Sequence, residues 1–183
     1  MVPLHTRQLV IDACIACSMG ERNENGKHCR EFMTDAFLNN TNHEVVISKD
    51  IKKEWYTHGK NIYATTWLSS MQARKRVFHV KENCEDAFLR QEINALSTLP
   101  VQIEAMLKDV ILLEAAIKTD RSVISMDQKA RRLFAGACVC IGYIRDIQWA
   151  NPCIPEEDAI SWLRDGAKHK TEFQLGNYNL LFD

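Results

Sequence analysis

The chain has 183 residues, 46% hydrophobic and 26% charged, which fits one globular domain and excludes a disordered chain. A formal charge of −1 excludes a protein that holds nucleic acid by bulk charge alone, though not a local basic rim. Seven scattered cysteines read as free thiols of a reduced, cytoplasmic protein, and the longest apolar run, "LFAGACVCIGYI" at 133–144, is too short to span a bilayer.

In chain order, "QLVIDA" from Gln8 reads as a buried strand. "GKHCREFMTDAFLNN" (26–40) has apolar residues at helical spacing and stops at Asn-Asn, and "HEVVIS" (43–48) is a second strand. Ser48 fits the N-cap of "KDIKKEWYTH", which Gly59 closes. "NIYATTWLSSMQARKR" (61–76) is a further helix and "VFHV" (77–80) a short extended segment. Two helices are expected at 83–97 and 100–119, the second opened by Pro100. "SVISM" (122–126) is a strand followed by a helix from Gln128, and "DIQWA" (146–150) a last strand. Pro155 with Glu156, Glu157 and Asp158 opens a final helix that Gly166 stops, and the tail has no clear period. Apolar strands alternating with helices imply a three-layer α/β/α fold around a central, mainly parallel sheet.

Several acids stand where apolar residues belong. Asp12 sits in or at the end of the first strand, and Asp127 follows directly on "VISM". In open parallel sheets the ligand crevice lies at the carboxyl ends of the strands, where two such carboxylates can face each other. Asp109 has Ala105, Met106, Leu112, Leu113 and Ala116 as its helical neighbours, so its carboxylate faces the protein and needs compensation. Glu114, with Lys118 four residues on, reads instead as half of a surface ion pair. Glu54 lies in the second turn of the helix after the second strand, among Lys52, Lys53 and His58. Converging carboxylates stay ionised together only beside cations, and oxygen ligands select Mg²⁺ or Mn²⁺.

"LVIDACIA", "SKDIKKEWYTHG", "LKDVILLEAA" and "SVISMDQKARRLF" together resemble the PIN-domain nucleases. The match runs over residues 8–152 in order and spacing; each motif is short, and the four gain weight together. The resemblance implies a PIN-like nuclease domain over 1–152, with 153–183 as a C-terminal helix and tail packed on or extending it. It implies Mg²⁺- or Mn²⁺-dependent cleavage of RNA or single-stranded DNA, with Asp12, Glu54, Asp109 and Asp127 as metal-holding catalytic residues. Ser125, where threonine is commoner, would support the metal shell. Lys49, Lys53, Lys129 and Arg131 would flank the cleft and position phosphates, Arg131 foremost. The chain is longer than the small toxin-type members, with extra helical material across 61–97 and after 152.

Other readings compete. A PIN-like module could bind without cutting, and an inhibitory protein or a second copy could be a partner. Trp55 and Trp67 read as core, with base stacking as the alternative. Tail residues Phe173, Tyr178, Leu180, Leu181 and Phe182 would dock on a partner or on the domain itself. A haloacid-dehalogenase-type phosphohydrolase expects D-x-D after the first strand, whereas Asp12 is followed by Ala13-Cys14. Cys14-Ile-Ala-Cys17 has the spacing of a redox pair but not the Gly-Pro interior, so both cysteines read as small packing residues.

Overall fold

A computed structural model describes residues 6–80 and 84–178. Five strands form one parallel sheet: β1 (Gln8–Ile11), β2 (Glu44–Ile47), β3 (Val77–His79), β4 (Ser122–Ile124) and β5 (Gln148–Ala150), in the spatial order β3-β2-β1-β4-β5. Every residue of β4 and β5 is buried, so neither face of the sheet meets water there; helices cover both, as parallel sheets require. The fold is therefore the expected three-layer α/β/α arrangement.

The helices are α1 (Ala13–Ser18), α2 (Glu24–Arg30), α3 (Lys49–His58), α4 (Ile62–Ala73), α5 (Ala87–Asn94), α6 (Pro100–Ile117), α7 (Gln128–Ala137) and α8 (Ala159–Arg164). Most begin where a side chain takes up an orphan N–H. Asp12, Asn23, Ser48, Asn61, Asp86, Asp127 and Asp158 cap seven of them. Leu99 precedes Pro100 in the eighth, where the proline at the first helical position has no orphan N–H of its own and a preset φ. Residue 83, the expected start of α5, lies outside the described residues.

Three expectations change in the structure. The helix expected at 26–40 is α2 followed by a wider π-helical segment, Glu31–Asn39. Side chains from elsewhere take carbonyls along that segment: the Trp67 indole donates to Met33 O, and Arg76 donates to Phe37 O and Leu38 O at 2.8 and 2.9 Å. Arg74 donates to Leu38 O as well, so these two arginines close a helix end. Trp55 and Trp67 are both buried and serve the core rather than base stacking; the Trp55 indole donates to Ile11 O at 2.9 Å.

The final helix is also interrupted. Pro155–Glu157 forms a 3-10 turn, Asp158 adopts φ +43°, and α8 starts after it. The break has a cause in Glu157. Its carboxylate turns inward, accepting the Asn151 N–H at 2.7 Å and pairing with Arg131, instead of serving a continuous helix. Beyond α8, Leu175 N–H donates to Ile147 O at 2.9 Å and Trp162 meets the ring of Phe173 edge-on. The segment through Tyr178 thus lies against the sheet edge; Leu180, Leu181 and Phe182 fall outside the described residues.

Glu114 is the third change. It is 1% exposed and pairs not with Lys118 but with Arg90 of α5, accepting from Nε at 2.7 Å and Nη2 at 2.9 Å. The Asp86 N–H donates to it too, at 2.9 Å. Local helical spacing favoured Lys118; the packing of α5 on α6 supplied a planar, two-pronged partner. Glu114→Ala leaves Arg90 and the Asp86 N–H without an acceptor. Urea unfolding is expected to show a loss of about 3 kcal/mol, against less than about 1 kcal/mol for Lys118→Ala.

Candidate functional site

The strand order puts β1 beside β4, in parallel register with Val10 opposite Val123 and Ile11 opposite Ile124. Both chains leave the sheet at the same edge. Asp12 follows β1 at once, and Ser125, Met126 and Asp127 follow β4. Asp12 N–H still donates to Ile124 O at 3.0 Å, which fixes the start of the loop.

Asp12 is held from several sides. The Ser125 hydroxyl donates to its Oδ2 at 2.6 Å, and the Cys14 thiol donates to the same oxygen at 3.0 Å. Oδ1 accepts the Cys14 N–H at 3.2 Å and so caps α1. Ser125 is fully buried and also accepts the Asp127 N–H at 3.0 Å. One hydroxyl thus ties the carboxylate of Asp12 to the backbone of Asp127. Asp127 is exposed, and its Oδ1 caps α7 through the Ala130 N–H at 2.8 Å.

Asp12, Glu54 and Asp109 line one small pocket of about 30 Å³, with Ala13, Ile51, Lys108, Ile111 and Leu112. Three separate elements supply the acids: the β1–α1 junction, α3 and α6. Glu54 is half-buried and stands 3.3 Å from His58 one turn later. Asp109 is half-buried in the apolar stripe of α6. Burial pushes its carboxyl up from 3.8 to about 6, the charges of Asp127, Asp12 and Glu54 add to that, and Lys108 opposes it. Asp127 does not line the pocket, yet its charge reaches Asp109.

An all-carboxylate donor set suits a hard divalent cation, and a cation placed among these groups would relieve the repulsion that Asp109 registers. Their spacing is another matter. Among the described residues, no three histidines, cysteines, aspartates or glutamates are arranged to hold a metal ion. Asp12, Glu54, Asp109 and Asp127 fit such an ion in chemical type.

The basic residues divide. Lys49, Lys53 and Lys129 are exposed near the first turns of α3 and α7, around the acids. Arg131 is not available to a phosphate. It is 1% exposed, ion-paired with Glu157 and covered by the Tyr178 ring, whose centroid lies 4.4 Å from the guanidinium. An arginine four residues after Asp127 lies on the inner face of α7, and a carboxylate 26 residues on meets it.

Sequence reasoning missed two contributors. Cys14, read as a packing residue, shares Asp12 with Ser125; its position two residues past a capping aspartate was the available signal. Lys108 lines the pocket beside Asp109, and nothing in the helical pattern set it apart from other solvated lysines. The remaining cysteines carry no pairing: all seven are free, with Cys17 and Cys140 exposed. Set against models of protein families, curated proteins and solved structures, the chain matches none of them.

Two outcomes follow. Because folding raises the carboxyl of Asp109, that group favours the folded state at low pH, and its contribution is lost as pH rises from 3.8 to about 6. Asp109→Asn is expected to stabilise the metal-free protein at pH 7.5 and to flatten that part of the pH profile in urea unfolding. Arg131→Ala is expected to cost about 3–5 kcal/mol of stability, since it strands Glu157. Glu157→Gln should cost less, and a variant that stayed fully stable would place Arg131 back among the accessible cations.

Proposed function

We propose that this chain is a metal-dependent endoribonuclease of PIN-like architecture, acting on RNA or single-stranded DNA in the cytoplasm. One observation carries the reading: three carboxylates from separate elements border one pocket at the switch point of a parallel sheet, and a fourth acts electrostatically on the third. The cytoplasmic assignment rests on seven unpaired cysteines. Among the described residues no helix is long and apolar enough to cross a membrane.

Asp12, Glu54, Asp109 and Asp127 would hold Mg²⁺ or Mn²⁺. An ion held there would provide Lewis-acid chemistry for hydrolysis of a phosphodiester. Ser125 fixes the orientation of Asp12 and of the Asp127 backbone, so the acids at the two strand ends keep their relation as substrate arrives. Lys108 at the pocket wall and Lys49, Lys53 and Lys129 around it would receive backbone phosphates.

Purified protein with Mn²⁺ or Mg²⁺ is expected to cut a mixed-sequence RNA internally, and EDTA to stop it. Asp12→Asn should reduce cleavage about 10²–10³-fold, and Ser125→Ala about 10–100-fold. Cutting that persists in EDTA, or in an Asp12→Asn, Asp127→Asn double variant, sinks the proposal. That no ready-made metal-holding group occurs among the described residues favours a second reading, a module of this fold that binds RNA without cutting it. RNA retention without cleavage at any divalent-ion concentration would select that one.

A further inference from the structure

Three sulfur atoms meet beside the acidic pocket, each from a different element. Cys29 is buried on α2, Met126 lies between Ser125 and Asp127, and Cys153 sits in the turn after β5. Cys29 Sγ is 3.6 Å from Met126 Sδ and 3.8 Å from Cys153 Sγ, and Cys153 Sγ is 3.3 Å from Met126 Sδ. Each sulfur touches both others, which makes a closed triangle.

We propose that Cys29, Met126 and Cys153 form a trigonal site for a soft monovalent d¹⁰ cation, Cu⁺ in the cell and Ag⁺ as its analogue. The dimensions support this. A point equidistant from the three sulfurs in their plane lies about 2.1 Å from each, and a displacement of about 1 Å from the plane brings it to the roughly 2.3 Å of a metal–thiolate bond. Apolar packing alone asks only for volume at these positions; here two thiols and a thioether converge edge to edge.

The donor chemistry selects the ion. Two thiolates and a thioether are soft ligands that favour Cu⁺, whereas Mg²⁺ and Mn²⁺ belong with the carboxylates. Structural Zn²⁺ sites take four ligands, one more than the triangle supplies. The Cys153 thiol also donates to the Asn25 carbonyl at 3.7 Å. The site is also prepared. Asn151 accepts the Cys153 N–H at 2.9 Å and fixes the turn, and Met126 N–H donates to Cys14 Sγ at 3.4 Å. Cys153 and Met126 are half-buried, which leaves an entry from their side. Binding replaces the two thiol protons: one Cu⁺ enters, two protons leave, and no electron is transferred. The site stands independently of the nuclease reading, although Met126 places it one residue from Asp127.

The test uses the full chain, reduced and kept free of oxygen, with exposed Cys17 and Cys140 changed to serine so that they do not compete. Cu⁺ is supplied from a chromogenic chelator of known affinity. One equivalent is expected to transfer to the protein, with thiolate-to-copper absorption in the ultraviolet, and X-ray absorption should count three sulfurs around the copper. Met126→Leu keeps the volume and should weaken binding at least tenfold while lowering the sulfur count to two. Cys153→Ser should abolish transfer, with circular dichroism reporting that it folds. If Cys153→Ser unfolds, the sulfur count in the parent and in Met126→Leu decides alone. No transfer, a count other than three in the parent, or a count and affinity unchanged by Met126→Leu overturns the site.

Discussion

The parallel pairing of β1 with β4 is the constraint on which the rest of the molecule depends. Parallel strands run out of the sheet at the same edge, so residues that follow them are delivered together however far apart they lie in the chain. Asp12 and Ser125 are separated by 113 residues and meet at 2.6 Å because Ile11 stands opposite Ile124. A one-residue slip of either strand would turn its side chains to the other face and part the two. Burial of every residue in β4 resists that slip, since each side chain would have to repack in the opposite, already filled layer.

Around that junction the helices bring in charge. Helix α6 packs on both β1 and β4 and carries Asp109 to the pocket; α3 reaches it with Glu54 from the other side. Burial raises the proton affinity of Asp109 in its apolar stripe, and the charges of Asp127, Asp12 and Glu54 add to it. Met126 contributes to the sulfur triangle, while Ser125 beside it ties Asp12 to the Asp127 backbone.

Much of the fold was legible because the relevant physics is local. The cap at Ser48 and the proline at Pro100 mark helix starts within a residue, since they satisfy or remove N–H groups of the first turn. Asp109 could be picked out from its five apolar neighbours because a helix has a fixed period. The misreadings share one cause. Glu114 and Arg131 looked like surface charges in their own helices, and each is buried against a partner from another element, Arg90 and Glu157. The pattern within one helix cannot show which of its polar faces another element will cover. The π-helical widening at Glu31–Asn39 was hidden for the same reason, since the groups that take its carbonyls come from Trp67 and Arg76.

By itself the sequence determined the alternation of strands and helices, the three-layer class, and which acids stand where apolar residues belong. Hydrophobic period and capping chemistry act over a few residues, so one chain is enough to read them. Only the tertiary structure decided which charges neutralise each other, that Cys14 holds Asp12 while Lys108 lines the acidic pocket, and that three sulfurs form a triangle. Those outcomes depend on strand order and on side chains tens of residues apart. Burial forces such groups to find partners, but packing alone chooses which partners they find.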